Sequence, residues 1–160
     1  MKNIENQKSA CGVVRDRTRA GTVMRPEWIS AKLIGMRKPI FSSKGAPPKG
    51  IYTPAIVAKG SFVFVSGQGP VDPKTGEFVL GSFREQAQLT FSNVGFLLEE
   101  AGSSWDLVVK VNVYLTDMGF FAEMNEVYKT FFKEPYPART TVGAGLGRMM
   151  IEVDCVALVP

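Results

Sequence analysis

Apolar positions recur with recognisable periods only after residue 50 of this chain. Ser61 to Ser66 (SFVFVS) is a β-rich run that stops at Gly67. VDPKTG at 71–76 is turn chemistry, because Pro73 fixes φ and Gly76 tolerates the left-handed region. Ser82 and Glu85 then have the spacing of a capping box, each side chain placed to bond the other's backbone N–H. Behind them Ala87, Phe91, Val94, Leu98 and Ala101 recur at helical spacing, and Gly102 supplies a stop. VVKVNVYL at 108–115 alternates: Val109, Val111, Val113 and Leu115 form one side, Lys110, Asn112 and Tyr114 the other. That predicts a strand buried on one face. Asp117 caps a second helix, whose apolar stripe is Phe120, Phe121, Met124, Val127, Tyr128 and Phe131. ARTTVG at 138–143 is a short strand, GAGLG at 143–147 a turn, and MMIEVDCVAL at 149–158 the last strand. This order predicts an α+β two-layer sandwich with two helices on one face of a mixed sheet.

The run SSKGAPPKG at 42–50 is rich in Ser, Gly and Pro and has the composition of a linker. It divides the chain into an N-terminal arm, 1–45, and a domain, 46–160. Trp28 to Ile34 is a candidate extra strand within the arm. Charge sharpens the division. Residues 1–50 hold eleven Lys/Arg against three Asp/Glu, whereas the rest is acidic overall. A basic arm can meet nucleic acid or another anionic surface, or can simply be solvated. The acidic remainder argues against a phosphate-dominated surface there.

Composition excludes several chemistries. There is no histidine, which removes the commonest general base, the Ser-His-Asp triad and most zinc sites. Proton transfer falls to a carboxylate, Lys, Tyr, Cys, backbone or water. Cys11 and Cys155 are far apart and make no disulfide framework, which fits a reducing, cytoplasmic setting. No apolar run approaches the roughly 20 residues of a membrane span. The first twenty residues lack the apolar core of a secretory signal. GAGLG lacks the spacing of a dinucleotide loop, and Ser66-Gly67-Gln68-Gly69 lacks the partners of a nucleophile elbow.

Arg139 starts a β-branched run, Thr140-Thr141-Val142. An arginine on a buried strand is costly without an anionic partner. Its planar fork suits a bound carboxylate, and an internal Arg–Asp or Arg–Glu pair fits equally well. Glu152 and Asp154 are two apart on the last strand and so share a face. Half-buried carboxylates can handle water, and they can equally face solvent or pair with a basic residue.

Several of these segments together resemble the Rid/YjgF proteins, the reactive-intermediate deaminases. They are Ser66-Gly67-Gln68 with Pro70-Val71 and Asp72-Pro73-Lys74-Thr75-Gly76-Glu77, then Ala87 and Asn93, then Asn125, Tyr128 and Phe131-Phe132. Pro137-Ala138-Arg139 and Ile151-Glu152-Val153 follow in order. The resemblance covers about residues 50–160. It implies a chorismate-mutase-like fold, assembled as a homotrimer around a central barrel, with sites in clefts between subunits. It implies hydrolysis of 2-imino acids to 2-keto acids and ammonia, with no cofactor and no metal. Arg139 matches the arginine that holds the substrate carboxylate, and Glu152 the acid that positions water. Thr141 matches a position whose backbone contacts substrate, Gly67 a glycine lining the cleft, and Asn125 an asparagine near it. The family's cleft tyrosine falls at Thr53, with Tyr52 one residue away. The loops from Phe132 to Pro137 and from Val142 to Ile151 are shorter than the family's. Two other classes stay open: a non-catalytic trimeric binding protein for small carboxylates, and the RNA-directed, endoribonuclease-like activity ascribed to some relatives.

Overall fold

The computed structural model describes residues 36–160. Strands β1 (Arg37–Ile40) and β2 (Ala55–Ala58) form an antiparallel pair. A four-stranded sheet contains β3 (Ser61–Gln68), β4 (Val108–Leu115), β5 (Ala138–Gly143) and β6 (Ile151–Val159). Its order is β3-β6-β4-β5, with β4 and β5 parallel and the other pairs antiparallel. Helices α1 (Phe83–Glu100) and α2 (Phe121–Phe131) share one core with this sheet. The architecture is the expected α+β sandwich, a mixed sheet with two helices.

Local chemistry explains the helices. The Ser82 hydroxyl accepts from the Glu85 N–H at 3.4 Å while the Glu85 carboxylate accepts from the Ser82 N–H at 2.8 Å. Gly102 follows α1 at φ 72°, where a side chain would be strained. Ala87, Phe91, Val94 and Leu98 are fully buried, as their spacing predicts. Asp117 caps a one-turn 3₁₀ segment, Met118–Phe120, by accepting from the Gly119 N–H at 2.7 Å. That turn leads directly into α2, so the aspartate acts one turn earlier than a simple helix cap.

Core and open faces of the sheet alternate with period two. Val111, Val113 and Leu115 on β4, and Ile151, Val153 and Cys155 on β6, point to the helices. The expected alternation fails at the start of β4. A register shift lies between Val108 and Lys110, so Val108 is fully buried and Val109 is only partly so. An extra residue in one strand reverses the side chains beyond it. A second bulge lies on β3. Val65 pairs with Cys155 and Gln68 with Val153, so Ser66 and Gly67 sit where the ladder is interrupted.

Between helices and sheet, Phe91 packs against Trp105, Tyr128, Phe131 and Phe132, with centroids 5.2–6.4 Å apart. A Cβ on Gly95 would lie 3.1 Å from the Trp105 ring, so the glycine lets the indole lie close against α1. The other face of the sheet is uncovered in the single chain, and Phe64 is 76% exposed there.

The expected division near residue 45 falls between β1 and β2. Arg37 of β1 donates to the Pro135 carbonyl at 3.0 Å, tying this strand to the segment before β5. The candidate strand from Trp28 to Ile34 lies outside the described residues. No helix among the described residues is long and apolar enough to cross a membrane.

Candidate functional site

Arg139 is the second residue of β5 and pairs with Val111, which puts its side chain on the helix side of the sheet. There α2 receives it. Phe121, Asn125 and Tyr128 are four and then three residues apart, so they share one face of α2. The guanidinium lies 4.7 Å from the Tyr128 ring centroid and 5.6 Å from that of Phe121. Its Nη1 donates to Asn125 Oδ1 at 2.8 Å. No Asp or Glu among the described residues pairs with it. Among the described residues, the internal ion pair considered from the sequence is therefore not what holds this arginine. Burial lowers its pKa below the ordinary value, and the nearby Tyr128 and Tyr52 oppose that shift. The result is a half-buried cation, backed by aromatic rings and steered by one amide, with one side-chain hydrogen bond among the described residues leaving most of its donor fork uncommitted there.

Thr141 follows two residues later on the same side, and its hydroxyl is buried without a hydrogen-bond partner. Thr53, where the resemblance places a tyrosine, is almost fully buried. Its hydroxyl donates to the Tyr136 carbonyl and its N–H to the Pro137 carbonyl, the latter at 3.1 Å. It latches the 50s loop to the segment that leads into β5. Tyr52 takes the half-exposed position instead, within electrostatic reach of Arg139.

Glu152 lies elsewhere. It pairs with Tyr114 on β4 and faces the open side of the sheet. The β3 bulge brings Gly67 over it, and a Cβ on Gly67 would sit 2.2 Å from Glu152 Oε1. The glycine leaves room for the carboxylate. Asp154, two residues on, accepts from Asn112 Nδ2 and from the Tyr114 hydroxyl, each at 2.8 Å. This bond with Asp154 is the main reason the Tyr114 pKa is raised. The two acids thus differ: Asp154 is committed within the chain, and Glu152 has no hydrogen-bond or ion-pair partner among the described residues.

The structure brings Arg139 and Asn125 into a hydrogen bond, with Tyr52 near enough to feel the Arg139 charge, and separately brings Gly67 and Glu152 together. It does not join the two groups within one chain. They stand on opposite faces of the sheet and two strands apart, roughly 10 Å by strand spacing alone. Sequence reasoning placed Phe121 in a core stripe and Tyr128 in that stripe and in the family motif, and missed both as the backing of Arg139. Their helical register with Asn125 was the available signal.

The chain is similar to known proteins over nearly all of this fold. The family model described as endoribonuclease L-PSP matches residues 43–159. A RutC family protein of Pyrococcus abyssi is 46% identical over 120 residues, covering 74% of this chain and 94% of that protein. A 2-iminobutanoate/2-iminopropanoate deaminase of Dermatophagoides farinae is 40% identical, covering 66% of this chain and 83% of that protein. The crystal structure of E. coli TdcF with bound serine has a TM-score of 0.58 and 36% identity, covering 77% of this chain and 99% of that chain. The family match and these relatives agree with the motifs from Ser66 to Val153, and the chain belongs to the endoribonuclease L-PSP family, the Rid/YjgF proteins.

Proposed function

We propose that this protein hydrolyses 2-imino acids to 2-keto acids and ammonia, using its own side chains alone. The observation that carries this reading is Arg139, a half-buried guanidinium with no carboxylate partner among the described residues, oriented by Asn125 over Tyr128. A D. farinae relative named as such a deaminase supports it. Arg139 would hold the substrate carboxylate in two hydrogen bonds and so fix the C=N carbon. Water adds to that carbon. Its proton passes to a carboxylate and then to nitrogen, the C–N bond breaks, and ammonia leaves as the carbonyl forms. Glu152, without a hydrogen-bond or ion-pair partner among the described residues, takes this task. Because it lies on the opposite face from Arg139, the acting carboxylate is Glu152 of the partner subunit. The site then requires an oligomer, which we propose to be a homotrimer with clefts between subunits. Thr141 and Gly67 line that cleft, and Tyr52 closes its rim.

A coupled assay for ammonia and keto acid from enzymatically generated 2-iminobutanoate tests the reading. Release faster than the spontaneous rate is the expected result. Tight binding of 2-ketobutyrate with no acceleration would favour a binding protein. Cleavage of RNA without imine turnover would favour the activity in the family model's name.

A further inference from the structure

Around the segment that leads into β5 and Arg139, the chain carries a groove that hydrolysis of a small imine does not use. Its volume is about 660 Å³, and its walls include Phe41, Pro48, Ile51, Tyr52, Pro135 and Tyr136. It shares Tyr52 with the proposed site. Lys129, which also lines it, is one helical turn beyond Asn125, the residue that orients Arg139. Tyr52 contributes to the groove and is close enough to Arg139 to act on its charge. Tyr136 and Pro135 precede Arg139 by three and four residues on the strand approach.

The walls are mostly apolar side chains, Glu134 adds one exposed carboxylate, and several of the other polar atoms are already engaged. The Tyr52 hydroxyl accepts from the Lys49 N–H at 3.4 Å. The Thr53 hydroxyl is bonded to the Tyr136 carbonyl, and the Pro135 carbonyl accepts from Arg37. Lys129 is paired with Glu126 at 2.8 Å. Pockets of roughly 300–1,000 Å³ with aromatic walls suit ligands larger than a three- or four-carbon acid. A methyl or ethyl side chain would leave most of this volume to water against apolar surface, whereas a benzyl or branched side chain would displace it.

We propose that this groove receives the substrate's side chain and selects 2-imino acids with large apolar, above all aromatic, side chains. The inference rests on the imine-hydrolase reading and specifies its substrate. The test compares imines generated in situ by an amino-acid oxidase from phenylalanine and from alanine, with the full-length protein. The phenylalanine-derived imine should show a kcat/KM on the order of 10- to 100-fold higher, the range a filled apolar pocket gives. Pro48→Trp, which fills the groove from an exposed loop position, should collapse that ratio by about tenfold or more. Affinities for phenylpyruvate and pyruvate, measured by calorimetry, supply a readout that needs no turnover. If neither imine is hydrolysed but phenylpyruvate binds tighter and Pro48→Trp removes the difference, the hydrolase reading falls and the groove assignment stands. Equal handling of the two side chains by the wild type overturns the assignment. So does a Pro48→Trp protein, shown folded by its melting curve, whose selectivity is unchanged.

Discussion

In the proposed reaction Arg139 and Glu152 play separable parts, and substitution should separate them. Arg139→Lys keeps the charge but loses the planar fork that Asn125 orients. It should weaken ligand binding and cost about 2–4 kcal/mol in kcat/KM. Glu152→Gln is close in shape and removes only the proton acceptor. It should leave 2-ketobutyrate affinity nearly unchanged while lowering kcat by on the order of 10²-fold. Steady-state kinetics beside calorimetry checks both, and full turnover by Glu152→Gln would remove Glu152 from the proton path. Another residue should contribute to loss of stability at alkaline pH. Burial, helped by Asp154, pushes the Cys155 thiol from 9.0 up to about 12. Burial pushes the Tyr128 hydroxyl in the same direction. The folded pKa exceeds the unfolded one, so the stability Cys155 contributes is intact below pH 9 and drains as pH rises toward 12. Urea midpoints should therefore fall across this window, and less steeply for Cys155→Val. A flat profile would show that the thiol is not held in its buried environment.

At the scale of elements, the β3 bulge is the device that matters most. It puts a glycine directly over Glu152, with space for no Cβ unless the carboxylate moves. Gly67→Ala should thus lower turnover by on the order of 10²-fold through displacement of Glu152. Its melting temperature should barely change, because Gly67 is exposed and needs no left-handed backbone. An active Gly67→Ala protein would mean that the carboxylate position is not critical. The helices were legible in the sequence because a capping box, a 3.6-residue period and a stop glycine all agree on α1. The bulges were not, because register belongs to strand pairs and leaves no mark on one strand's alternation. That is why Val109 was expected in the core where Val108 lies. β1 and β2 went unseen because four residues each, one strand carrying Pro39, make no period. The Tyr52–Thr53 pair shows the same limit. Motif counting points to Thr53, but only the fold shows that Thr53 is tied to Tyr136 and that Tyr52 remains near Arg139.

For the molecule as a whole, two boundaries matter: where the fold begins, and whether one chain suffices. We propose that the basic arm is dispensable but that β1 is not. Removal of residues 1–35 should leave the melting temperature and imine turnover close to those of the full chain. Removal of 1–45 deletes β1, its pairing with β2 and the Arg37–Pro135 hydrogen bond, and should lower the melting temperature by several degrees. Equal stability of the two truncations would show that β1 adds nothing. The second boundary follows from Arg139 and Glu152 standing on opposite faces of one sheet. If they form one site, as proposed, neither completes it in its own chain, so two damaged subunits should repair each other. Arg139→Ala and Glu152→Gln proteins, each nearly inactive, can be unfolded together and refolded as mixed oligomers. In a random equal mixture, about a quarter of the clefts should pair an intact Arg139 with an intact Glu152, so about a quarter of wild-type activity should return. Mixed oligomers, verified by native mass spectrometry, that stay as inactive as their parents would contradict a site shared between subunits.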